Sequence, residues 1–172
     1  MIRREFLMQL GALTGAILLP QMRVSAHIVD KQMKFTRVDK PASAWKALLP
    51  HDAYHILFEE GTERAGSSPL DQEKQEGTFI CAACYLPLFE SSAKYDSGTG
   101  WPSFFQPIPG RVDTKRDWKL VLPRTEYHCA RCGGHQGHVF DDGPPPTGKR
   151  YCNNGLALTF IPAEKDLPGL RG

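Results

Sequence analysis

Residues 81–84 read "CAAC" and residues 129–132 read "CARC", and these two stretches decide the fold. Two residues between paired cysteines let both sulfurs turn toward one point, so two such pairs can supply four thiolates to one tetrahedral metal ion. The glycines that follow the second pair, Gly133 and Gly134, favour a tight turn there. We therefore predict a structural zinc site made of Cys81, Cys84, Cys129 and Cys132.

Two other uses of these cysteines stay open at this point. An exported protein can form disulfides, although a disulfide inside Cys-x-x-Cys is usually a redox device, so bridges between the pairs are the stronger form of this alternative. His135 and His138 could replace one pair in a mixed site, but two full pairs already fill the coordination sphere. A closed four-thiolate site holds a fold and does no chemistry.

The fifth cysteine, Cys152, has no partner and stands in the stretch "RYCNNG". If this stretch is extended, Arg150, Cys152 and Asn154 share one face. A guanidinium nearby favours thiolate over thiol, and an amide can donate hydrogen bonds to developing charge. We predict that Cys152 is a nucleophile. The alternatives are a buried apolar cysteine, a solvated arginine and a turn asparagine.

Two further motifs supply groups that suit a reaction at this sulfur. The loop "GGHQGHVFDDG" carries His135 and His138, either of which could give a proton to an oxygen on a substrate. Trp101 stands in "SGTGWPSF", a loop framed by glycine and proline. Its indole could be ordinary core, or it could hold an apolar methyl group in a pocket.

The first 26 residues have the layout of an export signal. A basic start precedes an apolar run from Leu10 to Leu19, which is too short to span a membrane, and Val24-Ser25-Ala26 offers a small-residue cleavage site. Arg3 and Arg4 resemble the twin-arginine motif. We therefore predict an exported, periplasmic protein with no stable membrane insertion after cleavage.

The charge balance argues against a nucleic-acid partner. The whole chain has a formal net charge of +2, and removal of residues 1–26 leaves 18 basic and 18 acidic residues. A near-neutral chain without clustered basic residues lacks the electrostatic surface that binds phosphate backbones.

Composition favours short strands and turns, since the chain has 16 glycines and 14 prolines. Before Gly77 we predict two short helices, one capped by Ser43 and ending at Leu49, and one that starts at Pro50 and stops at Gly61. Beyond Gly77 the strand candidates are "TFICAACYLPLFE", "WKLVLP", "TEYHCARCGGHQGHVF" and "LALTFIPA".

Taken together, these motifs resemble the methionine-R-sulfoxide reductases, the MsrB family. The matching stretches lie between residues 61 and 162, a span of about three fifths of the chain, and "DSGTGWPSF" and "GHVFDDGPPPTGKRYC" are the most specific. They are "GTER" (61–64), "CAACYLPLFESSAKYDSGTGWPSFFQP" (81–107), "CARCGGHQGHVFDDGPPPTGKRYCNNGLAL" (129–158) and "FIP" (160–162).

The resemblance implies a mainly β fold with two antiparallel sheets, short N-terminal helices and a structural zinc. The chain then divides into an export signal at 1–26, a lead-in at 27–42 and an MsrB-like catalytic domain at 43–166. The implied activity is thiol-dependent reduction of methionine-R-sulfoxide in proteins or peptides, through a sulfenic acid on the catalytic cysteine. The alternative is a zinc-stabilised β module that binds a ligand without catalysis.

Residue roles follow from the resemblance by motif position. Cys152 is the implied nucleophile, and Trp101 lines the pocket for the substrate methyl. His135, His138 and Asn154 are implied to bind or protonate the sulfoxide, and Asp142 and Arg150 to support substrate binding.

One departure from the family pattern concerns how the enzyme is recycled. The resolving cysteine that many members carry in "SGxGWPSF" is replaced by Thr99, so the resemblance implies direct reduction by an external, thioredoxin-like thiol. Gln136 replaces a common leucine, and Asn153-Asn154-Gly155 departs from the usual serine after asparagine.

Overall fold

The structure is a computed structural model that describes residues 34–119 and 123–172. The predicted export signal at 1–26 and residues 27–33 of the predicted lead-in lie outside the described residues. No helix among the residues described is both long and apolar enough to cross a membrane.

Nine strands in the described residues build two sheets in which every pair of neighbours is antiparallel, which confirms the predicted fold class. The strands are β1 (Gly77–Cys81), β2 (Pro87–Glu90), β3 (Lys94–Tyr95), β4 (Ser103–Phe104), β5 (Val112–Asp117), β6 (Arg124–Cys129), β7 (His135–Phe140), β8 (Arg150–Asn153) and β9 (Leu158–Pro162). The smaller sheet has the order β2-β1-β9, and the larger has the order β3-β4-β8-β7-β6-β5.

The helices before β1 are shorter than predicted. The first is a 3₁₀ helix at Ala42–Trp45 that follows Pro41 and has no side-chain cap, so the prediction that Ser43 caps it is wrong. The second, α1 (His51–Glu59), begins directly after Pro50. Its end is set one residue earlier than predicted, because Glu60 takes the left-handed conformation and Gly61 N–H donates to His55 O.

One predicted strand differs from the structure. Trp118 and Lys119 of "WKLVLP" are not in a strand, and residues 120–122 lie outside the part of the chain that is described. The strand is instead the preceding β5, whose side chains are mostly polar and therefore gave no apolar pattern. β5 is an edge strand, and polar residues are common on such strands.

Aromatic rings join the two sheets. Phe89 of β2 stacks on Phe104 of β4, with ring centroids 4.1 Å apart, and Phe79 of β1 packs edge-on against Phe104 at 4.9 Å. All three side chains are fully buried. Burying a side chain of this size stabilises a fold by about 1.5–3 kcal/mol, so the contact fixes how the sheets pack.

The two Cys-x-x-Cys turns have the same backbone geometry. In the first, Tyr85 N–H donates to Cys81 O, and Tyr85 has a positive φ of 63°. In the second, Gly133 N–H donates to Cys129 O, and Gly133 has a φ of 74°. Each turn thereby directs two sulfurs to one side. The first turn follows β1 of the smaller sheet, and the second follows β6 of the larger sheet.

The four sulfurs of these turns form a site that fits zinc. They lie within 4.8 Å of one another, and Sγ–Sγ distances are 3.7 Å for Cys81–Cys132 and 3.5 Å for Cys84–Cys129. A tetrahedral zinc with bonds of about 2.3 Å needs sulfurs about 3.8 Å apart. All five cysteines are free, which contradicts the disulfide alternative.

Burial of these thiols explains why a cation is needed. It raises the pKa of Cys81 and of Cys129, since a buried thiolate is poorly solvated. A bound divalent ion reverses this effect by supplying the missing positive charge. Because the ligands come from both sheets, the ion would hold the sheets together.

Removal of the metal is expected to unfold the protein. The binding free energy of a structural zinc, on the order of 10 kcal/mol, is folding free energy, so a chelator or Cys84→Ser should abolish the cooperative melting transition. Circular dichroism with metal analysis measures this. The Cys152→Ser variant is the matched control and should keep one zinc per chain with a near-normal melting temperature. A metal-free protein with an intact fold would contradict the structural role.

Candidate active site

Cys152 lies on β8, between β4 and β7 in the larger sheet. Its direct cross-strand partners are Ser103 on β4 and His138 on β7. Strands β7 and β8 approach closely at Gly137, where a Cβ atom would lie 1.9 Å from the carbonyl oxygen of Cys152. Only glycine fits this position. Gly137 therefore lets the strands bring the thiol and the imidazole opposite each other.

A cavity of about 120 Å³ opens at this point of the sheet. Four predicted site residues line it, together with Arg124 and Phe140; the four are Trp101, His138, Cys152 and Asn154. Two larger hollows, of about 270 and 680 Å³, contain none of the predicted site residues. The smaller cavity is therefore the candidate active site.

The Cys152 thiol is partly buried, and burial is the strongest influence on it. Burial raises its pKa above the ordinary value, while the charge of Arg150 and a hydrogen bond from Thr99 lower it. The net direction is upward. Arg150 favours the thiolate, as predicted, but loss of solvent outweighs the guanidinium, so the neutral thiol is the favoured form.

His138 is the imidazole that reaches the cavity. Its side chain is 12% exposed, and its Nε2 lies 2.7 Å from Oδ2 of Asp117. Burial lowers the pKa of His138, and the hydrogen bond to Asp117 raises it without overcoming the effect of burial. The ring is therefore mainly neutral near pH 7 when no substrate is bound.

His135 lies behind His138 and does not line the cavity. It is 3% exposed, its ring is packed edge-on against that of His138 at 5.5 Å, and its Nδ1 makes a close contact of 3.0 Å with Oε1 of Glu126. The sequence left the choice of acid open between the two histidines. The structure leaves His138 as the one that a bound molecule can touch.

Asn154 uses its amide to hold the backbone around the cavity. Its Nδ2 donates to Gln136 O at 3.0 Å, and its Oδ1 accepts from Glu63 N–H at 3.1 Å. Glu63 in turn accepts from the backbone N–H groups of Gly155 and Leu156. These bonds fix the chain where it leaves β8 after Asn153, one residue beyond Cys152. One Nδ2 hydrogen remains available for a molecule in the cavity.

A hydrogen bond from its indole N–H holds the Trp101 side chain in place. Its Nε1–H donates to Glu63 O at 3.2 Å. Before it, Gly100 has a φ of 84°, and a Cβ atom there would lie 2.8 Å from Gly66 N. A residue other than glycine would be strained and would clash at this position. The glycine turn thus presents a partly buried aromatic ring to the cavity, beside Cys152.

Arg150 and Asp142 form a two-bond ion pair outside the cavity. Nε and Nη2 of Arg150 each lie 2.8 Å from an Asp142 oxygen, and the guanidinium also stacks on Phe140 at 4.3 Å. Neither residue lines the cavity. Their arrangement supports the strands β7 and β8, and Arg150 acts on Cys152 through its charge.

Three buried carboxylates near the site were missed in the sequence. Glu63 was visible only as part of the matching stretch "GTER". Asp117 and Glu126 stand 21 and 12 residues before His138, and no local pattern connects them to it. Only the pairing of β5, β6 and β7 brings these groups together.

Comparison with known proteins agrees with this geometry. Residues 49–162 match the SelR domain. The chain is 50% identical to the peptide methionine sulfoxide reductase MsrB of Agrobacterium fabrum, over 73% of this chain and 94% of that protein. It is 47% identical to the MsrB protein of Methanosarcina barkeri, over 77% of this chain and 94% of that protein.

A plant relative is similar over a smaller share of its own length. The chain is 51% identical to peptide methionine sulfoxide reductase B1, chloroplastic, of Arabidopsis thaliana, over 70% of this chain and 60% of the relative. The matches extend over most of the described residues, from α1 to β9. The chain belongs to the MsrB family of peptide methionine sulfoxide reductases.

Proposed function

We propose that the protein reduces methionine-R-sulfoxide in proteins or peptides to methionine, with Cys152 as the nucleophile. The observation that carries this proposal is the cavity in which Cys152 faces His138 across two neighbouring strands. A sulfoxide needs both groups, because its sulfur is a poor electrophile until its oxygen is hydrogen-bonded or protonated. Trp101 supplies an apolar wall for the methyl group.

The reduction of the sulfoxide uses Cys152 as the acceptor of the oxygen and His138 as the proton donor. The Cys152 thiolate forms a bond to the sulfoxide sulfur, and His138 gives a proton to the oxygen. The oxygen then passes to Cys152, methionine leaves as the two-electron-reduced product, and Cys152 is left as a sulfenic acid. Asn154 offers a second donor to the oxygen. Arg150, held by Asp142, stabilises negative charge at the sulfur.

The pKa shifts set a condition on this step. The reactive pair is a Cys152 thiolate beside a protonated His138, yet burial raises the pKa of the thiol and lowers that of the imidazole. Both shifts favour the neutral pair. The reactive pair is therefore a minor form of the free enzyme, and the rate depends on pH through both groups.

An external thiol would restore the enzyme. The four other cysteines fill the zinc site, and Thr99 lies beside Cys152 where many family members carry a resolving cysteine. A hydroxyl cannot form a disulfide. Two equivalents of an external thiol, such as a thioredoxin-like dithiol, would convert the sulfenic acid to a thiol, one disulfide and water.

We also propose export of the protein by its first 26 residues. The support is the sequence layout alone: paired arginines, a short apolar run and a small-residue cleavage site. A twin-arginine route suits a protein that must bind zinc before export. The alternative, a ligand-binding module without catalysis, receives no support from the relatives, which are named as reductases.

Activity is tested with both epimers of dabsyl-methionine sulfoxide and dithiothreitol as the reductant. We expect turnover of the R epimer only, and no turnover by Cys152→Ser, which lacks the nucleophilic sulfur. Metal content and melting temperature of the variant show that its fold is retained. Equal activity of Cys152→Ser and wild type would refute the proposed mechanism, and binding without turnover by the wild type would favour the binding module.

The absence of a resolving thiol is tested by substrate without reductant. One sulfenic acid per chain should form and be trapped by dimedone, because no free thiol is left to condense with it. In Thr99→Cys the adduct should be replaced by an intramolecular disulfide, as seen by intact mass spectrometry. A disulfide between Cys152 and another native cysteine in the wild type would contradict this expectation.

Export is tested by expression in a bacterium with a twin-arginine pathway. The mature protein should begin at His27, and the double variant Arg3→Lys, Arg4→Lys should stay in the cytoplasm because the paired arginines are the recognised feature. Arg23→Lys, in the same segment but outside the motif, is the control and should be exported normally. Normal export of the double variant would count against this route.

A further inference from the structure

His138 is bonded to a buried carboxylate on a different strand. Asp117 is the last residue of β5, and its side chain is 6% exposed. Its Oδ2 lies 2.7 Å from Nε2 of His138. The bond crosses from the edge strand of the larger sheet to the ring that lines the cavity, and Asp117 itself does not line that cavity.

Two further donors hold the carboxylate in one orientation. Arg124, the cross-strand partner of Asp117, donates through Nη2 to Oδ2 at 2.7 Å. The backbone N–H of Lys119 donates to Oδ1 at 2.9 Å. A carboxylate that accepts this many hydrogen bonds is favoured in its charged form. Asp117 is therefore fixed in position and ionised.

An ionised carboxylate can only accept hydrogen bonds. The nitrogen of His138 that faces Asp117 must then carry a proton, which leaves Nδ1 as the nitrogen that can exchange a proton with a bound molecule. A carboxylate that fixes the tautomer of an imidazole in this way also stabilises the imidazolium.

We propose that Asp117, held by Arg124 and the Lys119 backbone, is a positioning residue that orients the His138 ring and favours its protonated form. This inference rests on the proposed function, since it assigns His138 its role as the proton donor. Asp117 is thereby a third group that supports the reacting pair of Cys152 and His138, and it lies outside the motifs quoted from the sequence.

The charges around His138 agree with this role. The hydrogen bond and charge of Asp117 raise the pKa of His138, whereas burial and the charges of Arg124 and His135 lower it. The hydrogen bond from the Lys119 backbone N–H is the strongest influence on Asp117, and it lowers the pKa of that carboxyl group. The titratable groups that face His138 are Asp117, Arg124, Glu126, His135 and Cys152. Among these, Asp117 is the one whose charge is bonded directly to the ring.

The test is Asp117→Asn in the full-length protein. Without the carboxylate, His138 should lose its proton at lower pH. The corresponding limb of the bell-shaped pH–rate profile should move to lower pH, and kcat for the R sulfoxide should fall on the order of tenfold or more. Imidazole ¹⁵N NMR, assigned with His138→Gln, follows the titration of His138 directly and does not depend on activity.

Asp113→Asn is the matched control, because Asp113 lies on the same strand and pairs with the exposed Arg37 instead. It should leave both the His138 titration and the pH profile unchanged. If kcat of Asp117→Asn fell by the same factor at every pH and the His138 titration were unchanged, the role of Asp117 would be structural only. This result would overturn the inference.

Wild-type measurements keep the proposal testable if Asp117→Asn does not fold. Neutral His138 should carry its proton on Nε2, and the Nδ1–H tautomer would overturn the inference. The same spectra separate this proposal from the proposed function. An inactive wild type would refute the proposed function. If its His138 still had the Nε2–H tautomer, the Asp117–His138 pair would remain as a structural arrangement, and Asp117 would have no positioning role in catalysis.

Discussion

Everything in this fold depends on four sulfurs that cannot be charged together without a cation. They come from two turns that belong to different sheets, and each turn has the same hydrogen bond and the same left-handed residue. Around a metal ion they connect the end of β1 to the end of β6. Strand β6 is the neighbour of β7, so this connection also fixes the strand that carries His138. The sulfur of Cys152, the proposed nucleophile, is left out of the cluster and lines the cavity.

The centre of the candidate active site is built from strands, whereas Trp101 and Asn154 lie in the connections beside them. Cys152 and His138 are cross-strand partners, and their separation is fixed by the close contact at Gly137. Such a site is precise, but it is also poorly solvated, and burial keeps both reacting groups neutral at rest. A neutral thiol is a weaker target for oxidants than a thiolate, so this arrangement would protect Cys152 in the oxidising compartment to which we propose the protein is exported.

Much of the site could be predicted because its residues stand in short, specific motifs. The zinc cysteines, Cys152 and Trp101 each have a local signature, and the fold class followed from the family resemblance. The carboxylates could not be predicted, since Asp117 and Glu63 reach the site only through strand pairing and long-range hydrogen bonds. The pKa of Cys152 also required the structure, because the sequence places Arg150 beside the sulfur but contains no measure of burial.

Gln136, which replaces a leucine common in the family, contacts a second buried amide, that of Asn153. Gln136 and Asn153 are fully buried; Asn153 Nδ2 donates to Gln136 Oε1 at 3.4 Å, Tyr127 OH donates to Asn153 Oδ1 at 2.6 Å, and Gln136 Nε2 approaches Cys81 Sγ at 3.6 Å. A buried amide that loses its partner is destabilising by about 1–3 kcal/mol, whereas exchanging both for apolar groups is nearly neutral. Replacing Gln136 with leucine alone would therefore leave the Asn153 amide short of a buried partner, whereas replacing both residues with apolar ones would avoid this loss.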